Sequence, residues 1–194
     1  LYAAVNGGNP DLDYRGIWTS ATGAANSWTR IAGGTSASDS VNGWKGNSFT
    51  PSPYCGGSGG AVTFLSKRIV MALAPSNQNI LYVAYENGES QSGSTGKNEA
   101  DLFKLDVSSG SNVWTNLSAN VPDYTGQLDG VDPFHVQEGY NLMVAVKPDN
   151  PSVVFLGGVN LFRSTDGFTS TGNTAWIGGY ASNFPEGLKI YGKN

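Results

Sequence analysis

The chain has 194 residues and a formal net charge of −4, a length that suits one domain. Charged residues make up only 13% of it, roughly half their share in an average soluble protein. The eleven lysines and arginines are scattered rather than clustered, which argues against a basic footprint for nucleic acid. No apolar run approaches the about 18 residues of a membrane-spanning helix, and no heptad pattern indicates a coiled coil.

The composition also indicates where the protein works. Glycine, serine, threonine, asparagine and aromatic residues take the place of lysine, glutamate and leucine, which predicts an extracellular or cell-surface location. The sequence starts at Leu1 without an initiator methionine, so we expect a processed chain or a fragment of a larger one. Its single cysteine, Cys55, cannot form an internal disulfide. A buried apolar role, a pairing outside this sequence and a reactive thiol all stay open for it.

Taken in chain order, the predicted elements form three copies of one pattern. Residues 71–84 and 144–157 each contain an apolar strand, a turn with proline and asparagine, and a second apolar strand. Pro75 matches Pro148 in this comparison, and residues 1–5 match the second strand alone. The alternation of apolar residues has period two, and β-branched and aromatic residues dominate the runs, as is typical of strands.

Each copy continues with an aromatic strand, a turn with serine and glycine, and then a strand that contains a tryptophan. The aromatic pairs and their tryptophans are Ile17-Trp18 with Trp28, Leu102-Phe103 with Trp114, and Leu161-Phe162 with Trp176. No window carries a capped helical stripe. The pattern therefore predicts four-stranded antiparallel meanders, repeated about every 73 to 80 residues.

Recurring four-stranded units, each too small to bury both of its faces, favour a β-propeller. The sequence thus predicts an all-β fold, a partial β-propeller of about three four-stranded antiparallel blades. The blades occupy 1–32 in part, 68–118 and 141–180, and residues 187–194 would begin a further blade. A closed propeller has about four to eight blades, so we expect this chain to be a segment of a larger propeller.

One turn carries a specific resemblance. The stretch Ser164-Thr165-Asp166-Gly167-Phe168-Thr169, followed by Trp176, resembles the Asp-box, Ser-x-Asp-x-Gly-x-Thr-Trp, of sialidase-like, xyloglucanase-like and sortilin-like propellers. Phe168 stands where the motif has its second glycine. The segment 140–167 looks like the propellers of large bacterial surface proteins of the type IX secretion route. The resemblance implies that Ser164, Asp166, Gly167 and Trp176 are structural, in a turn that satisfies its own backbone N–H groups.

The other two copies of this turn depart further from the motif. Ser20-Ala21-Thr22-Gly23, followed by Trp28, looks like a degenerate Asp-box with Thr22 at the aspartate position. The middle copy, at 104–107, has lost the motif. In the enzymes that it resembles, the box lies opposite the active site.

Loop length predicts which side of the blades carries function. In a meander, the first and third turns of each blade lie on one side, and the other connections lie on the opposite side. The long connections, 33–67, 86–100 and 119–139, all belong to that second side, and loops of such length are uncommon without a function. The candidate ligand-binding residues in or beside them are Trp44, Tyr54, Tyr124, Asp129, Asp132, His135, Glu138 and Tyr140.

Aromatic rings and carboxylates together suit sugar binding, because a ring covers the C–H face of a pyranose while carboxylates accept from its hydroxyls. No cofactor or metal is assigned from the sequence. Calcium is one alternative, with Asp123, Asp129 and Asp132 as oxygen ligands, although their spacing is not that of an EF-hand. One histidine and one cysteine argue against zinc.

Three functions follow as expectations. The first is a secreted or cell-surface module that binds a glycan or a protein partner through the long-loop side. The second is a xyloglucanase-like glycoside hydrolase whose catalytic carboxylates lie partly outside this segment, since hydrolysis requires two of them. A sialidase is disfavoured because the arginines do not cluster. The third is a structural propeller within a large surface assembly.

Overall fold

The computed structural model describes residues 1–5, 16–33, 68–86, 100–122, 134–137 and 139–179. Within these ranges the chain forms eleven β-strands and one short 3-10 helix (Ser118–Asn120). The strands make three antiparallel sheets, one of three strands and two of four. The predicted all-β class is therefore confirmed. The segment 187–194, proposed to begin a further blade, lies outside the described residues.

Every sheet is a meander, because its strands are hydrogen-bonded in chain order. Sheet I contains β1 (Tyr2–Val5), β2 (Gly16–Thr19) and β3 (Thr29–Ala32). Sheet II contains β4 (Ile69–Leu73), β5 (Ile80–Glu86), β6 (Ala100–Asp106) and β7 (Val113–Asn116). Sheet III contains β8 (Met143–Val146), β9 (Val154–Gly157), β10 (Asn160–Ser164) and β11 (Thr174–Gly179). Trp28 lies just before β3 rather than within it.

The turns between the first two strands of sheets II and III are built alike. Asn77 and Asn150 each accept, through Oδ1, a hydrogen bond from the backbone N–H two residues later, at 3.2 and 2.9 Å. This local bond is the reason why asparagine favours turns. The N–H ahead of each proline also donates to the carbonyl across the turn, at 2.9 Å in the first and 2.8 Å in the second. The repeat seen in the sequence is thus matched by repeated backbone geometry.

Sheet II lies between the other two sheets. All seven residues of β5 are buried, which requires that both faces of this strand are covered, because successive side chains point to opposite sides. On one face of β5, Ile80, Tyr82 and Ala84 belong to the apolar cluster shared with sheet III. On the other face, Leu81, Val83 and Tyr85 belong to the cluster shared with sheet I. The three sheets are therefore stacked face to face in chain order.

The interface between sheets I and II contains apolar side chains and one specific hydrogen bond. Ile17 of sheet I and Phe103 of sheet II share the buried cluster, and Tyr85 stacks on Phe103 with ring centroids 5.9 Å apart. At the outer edge, the Trp114 indole N–H donates to the Ile31 carbonyl at 3.2 Å.

More segments of the chain contribute to the interface between sheets II and III than to the one between sheets I and II. Leu102 from β6 packs in one cluster with Leu156 and Phe162 from sheet III. The segment 134–136 adds Phe134 and Val136, both fully buried, to the same cluster. At the other edge, β4 lies beside β8, while β1 lies beside β4. The first strands of sheets II and III are therefore neighbours.

Candidate binding face

The strand ends that carry the long connections meet at one rim of the stack. We call it the loop rim and define it by Arg68, Glu86, His135, Gly139 and Tyr140. Arg68 directly precedes β4 and Glu86 ends β5. The backbone joins these two residues, because the Glu86 N–H donates to the Arg68 carbonyl at 3.0 Å. The other three residues come from the chain that leads into sheet III.

Close packing fixes the position of Gly139 on sheet II. A Cβ at residue 139 would lie 2.9 Å from the Cβ of Arg68 and 3.2 Å from that of Glu86, and the φ of Gly139 is +83°. Only glycine combines that backbone conformation with so close an approach. The next residue is held as well, since the Arg68 guanidinium donates through Nη1 to the Tyr140 carbonyl at 3.0 Å.

The result of this packing is an exposed aromatic ring on an anchored backbone. Tyr140 is 79% exposed, the most exposed of the large apolar and aromatic side chains among the described residues. Its backbone is bonded twice, by Arg68 and by its own N–H, which donates to the Gln137 carbonyl at 3.0 Å. The ring therefore stands in solvent although the chain beneath it is fixed.

His135 is the second predicted binding residue that the structure describes. It lies half-buried between two fully buried neighbours, Phe134 and Val136, which anchor this segment to the cluster between sheets II and III. The Phe134 ring meets Phe162 edge to face, with centroids 6.2 Å apart. The carbonyl of His135 accepts from the Val159 N–H at 2.8 Å, so the histidine backbone is tied to sheet III.

Two carboxylates are buried near the loop rim. Glu86 is 4% exposed and Asp101 is 7% exposed. In the register of β5 and β6, Tyr85 is opposite Asp101 and Glu86 is opposite Ala100. Because side chains alternate along a strand, Glu86 and Asp101 lie on opposite faces of sheet II. They do not face each other across a common cleft, as a glycosidase pair must.

The structure thus brings together part of the predicted binding set. His135 and Tyr140 lie on one segment at the rim, and Arg68 and Gly139 join them without having been predicted from the sequence. An arginine placed directly before an apolar strand was the only available signal for Arg68. The other predicted residues, together with Asp123 of the calcium alternative, lie outside the described residues: Trp44, Tyr54, Tyr124, Asp129, Asp132 and Glu138.

The opposite side of sheet III carries the turn 164–173, which we call the Ser164 turn. The buried Ser164 hydroxyl donates to Asp166 Oδ1 at 2.7 Å and accepts from the Phe168 N–H at 2.8 Å. Oδ2 of Asp166 accepts from Ser170 at 2.7 Å and from Asn173 at 3.0 Å. The Asp166 carboxylate therefore organises both halves of the turn.

These bonds determine the protonation of Asp166. Desolvation acts to raise the pKa of this carboxyl, but hydrogen bonds from Ser170 and Asn173, with a further one from Ser164, outweigh it. They hold the pKa of Asp166 well below its usual range, because they favour the charged form. The carboxylate is ionised at neutral pH, and both of its oxygens accept hydrogen bonds from side chains of the turn.

The turn 20–27 of sheet I, called the Ser20 turn, has the same plan without the carboxylate. The Ser20 hydroxyl accepts from the backbone N–H of Thr22 at 3.2 Å and of Gly23 at 2.8 Å, and it pairs with Ser27 at 2.6 Å. Thr22, at the position of Asp166, bonds Ser27 through its hydroxyl at 3.2 Å.

Trp176, beyond the Ser164 turn, packs on Phe162 with centroids 5.8 Å apart.

The described ranges contain no group of three or more His, Cys, Asp and Glu side chains that could hold a metal ion. No helix in the described part of the chain is long and apolar enough to cross a membrane.

The chain matches no protein-family model, no curated protein and no solved structure.

Proposed function

We propose that the three sheets are successive blades of a β-propeller and that the loop rim binds a glycan. The propeller is supported by the meander order in each sheet, by the face-to-face stack and by the proximity of β4 to β8. The hydrogen bonding of the Ser164 turn is what an Asp-box would require, since one serine and one aspartate satisfy its backbone and side-chain donors. The composition, low in charge and rich in glycine, serine, threonine and aromatic residues, supports a location for such a module outside the cell or on its surface.

The observation that carries the binding proposal is Tyr140. The Tyr140 ring is 79% exposed, so a ligand that covers it gains free energy from burying apolar surface, and its backbone is fixed by Arg68 before any ligand arrives. Because its backbone is already ordered, Tyr140 loses little backbone conformational entropy on binding. An aromatic face with polar groups around it matches the two surfaces of a pyranose, one of C–H groups and one of hydroxyls.

The net charge of the chain favours a neutral ligand over a negatively charged one. With a net charge of −4, the chain repels polyanions at low ionic strength, so we propose a neutral glycan. A protein partner would use the same exposed ring and is the competing outcome of the test. A structural role in a surface assembly would instead keep the rim covered by other protein.

The hydrolase alternative rests on the two buried carboxylates near the rim, Glu86 and Asp101. Their positions on opposite faces of sheet II oppose it. A hydrolase function therefore requires a second carboxylate from another part of the chain, whereas glycan binding does not.

The binding proposal is tested with the full chain on an array of neutral oligosaccharides, followed by calorimetric titration of the best ligand. Tyr140→Ala should weaken binding by about tenfold, the equivalent of about 1.4 kcal/mol, and leave the thermal midpoint unchanged because the ring is exposed. Val113→Ala, at a side chain 50% exposed on β7, is the control and should bind like the parent. Unchanged affinity in Tyr140→Ala, or the absence of any bound glycan, would reject the proposal.

A further inference from the structure

The stacked sheets use the same residues at the same places to pack on each other. We define the front face of a sheet as the face toward the next sheet in the chain, and the back face as the face toward the preceding one. On the front faces, a small residue of one strand is paired across the sheet with a large aliphatic residue, and an aromatic residue lies two positions earlier. The sets are Tyr2, Ala4 and Ile17 in sheet I, Tyr82, Ala84 and Leu102 in sheet II, and Phe155, Gly157 and Leu161 in sheet III.

The back faces of the three sheets also carry the same kinds of residues at equivalent positions. Each pairs an apolar residue of one strand with an aromatic residue of the next. The pairs are Ala3 with Trp18 in sheet I, Val83 with Phe103 in sheet II, and Leu156 with Phe162 in sheet III. In the interior of the stack, the front face of one sheet always meets the back face of the next. The three described sheets thus form the same kind of interface twice.

The front face of sheet III carries this docking pattern without a described sheet against it. Leu102 and Tyr82 on the covered front face of sheet II are 0% and 2% exposed, whereas their counterparts Leu161 and Phe155 are only half-buried. Met143 and Ile177 on the same face are 38% and 41% exposed. Met143 and Leu161 approach each other over Gly157, where a Cβ would contact both side chains.

The back face of sheet I is the complementary surface. Trp18 occupies the position of Phe103 and Phe162, yet it is half-buried, while those two rings are 1% and 4% exposed. Arg30 lies over the Trp18 ring at 5.8 Å from its centroid. The two end faces of the stack are therefore a front face and a back face, the combination that packs together inside the molecule.

We propose that the front face of sheet III binds the back face of sheet I in a second copy of this chain. The two internal interfaces support this occupant, because they use equivalent residues in equivalent registers. Such a head-to-tail contact joins different surfaces of the two copies, and it forms a closed dimer when the rotation between copies brings the second pair of faces together. The described sheets of two copies, six in all, would lie within the about four to eight blades of closed propellers. The inference does not depend on what the loop rim binds.

The first test is the mass of the full 194-residue chain in solution, measured by light scattering after gel filtration across protein concentrations. A dimer, with twice the 20.3 kDa of one chain, is expected. Met143→Lys with Ile177→Lys on the front face of sheet III should give a monomer, and so should Trp18→Glu on the back face of sheet I. Val113→Lys, exposed on β7 away from both faces, should remain dimeric. Ile177→Lys alone replaces the double variant if the latter does not fold.

Mixing the two monomeric variants distinguishes a head-to-tail contact from a symmetric one. In the mixture, the intact back face of one variant can meet the intact front face of the other. Native mass spectrometry should therefore detect a mixed dimer that neither variant forms by itself. A parent chain that stays monomeric, with its end faces covered by its own segments or by another protein, would overturn the proposal. So would a dimer that survives Trp18→Glu, or variants that fail to associate on mixing.

Discussion

At the scale of single residues, Ser164 and Asp166 explain how a polar turn can end a buried strand. The Ser164 side chain is fully buried, and a buried hydroxyl without partners would cost about 1 to 3 kcal/mol. Here it accepts from the Phe168 N–H and donates to Asp166. The Asp166 carboxylate also accepts hydrogen bonds from Ser170 and Asn173, so that one short side chain satisfies donors from three residues of the turn.

The depressed pKa of Asp166 predicts a pH-dependent contribution to stability. The pKa of this carboxyl is lower in the folded than in the unfolded chain, where it is near 3.8. Its contribution is therefore present above that value and is lost as the pH falls toward the folded pKa. We expect Asp166→Asn to lower the free energy of unfolding by about 1 kcal/mol at pH 7, and by less at pH 3, in urea titrations.

The Ser20 turn supplies the control for that measurement. Thr22 holds the position of Asp166 but has no charge to lose. Thr22→Ala should destabilise the chain by the same amount at pH 7 and at pH 3. A constant effect of Asp166→Asn across this range would show that the carboxylate charge is not used in the turn.

At the scale of elements, the Ser164 turn is also a contact between sheets II and III. The hydroxyl of Tyr82 on β5 donates to the Pro151 carbonyl at 3.2 Å and touches the place that a Cβ of Gly167 would occupy. Burial, and after it the charge of Asp166, raises the pKa of Tyr82 to about 12. The phenol is therefore a permanent donor, and Gly167 is required twice, for its φ of +70° and for its closeness to Tyr82.

Gly167→Ala should accordingly cost about 2 to 4 kcal/mol of the free energy of unfolding, from backbone strain and overpacking together. Gly110→Ala is the matched control, because Gly110 has a φ of +79° and nothing within 4 Å of a Cβ. It should cost only the strain, about 1 kcal/mol.

Combining Gly167→Ala with Tyr82→Phe removes the hydroxyl that the new methyl group would meet. The double variant should be more stable than the sum of the single effects predicts, by about 1 kcal/mol in urea unfolding. Strict additivity would mean that the turn does not pack on Tyr82.

Some features of these elements could be predicted from the sequence, and others could not. The turns at Asn77 and Asn150 and the aromatic positions of β6 and β10 were predictable, because their signals are local and repeated. The burial of β5 on both faces was not, since its alternation shows only that each face is apolar and not what covers it. The bond between Arg68 and Tyr140 joins residues 72 positions apart, and no local pattern encodes such a contact.

At the scale of the whole molecule, the stack explains how each sheet is stabilised. Each sheet alone exposes two faces, and only the middle one has both covered within the described residues. A repeat of this kind gains stability from its neighbours rather than from a core of its own. Binding groups are then free to collect at the rim, where Tyr140 lies on a backbone that the stack holds in place.

The position of sheet II between the other two sheets is tested by amide hydrogen exchange measured residue by residue with NMR. We expect the amides of β5, which is paired on both edges and covered on both faces, to exchange slowest, through global unfolding. Amides of β1 and β11, at sheet edges among the described strands, should exchange faster. Exchange in β5 as fast as in β1 or β11 would contradict the stack and the proposals that depend on it.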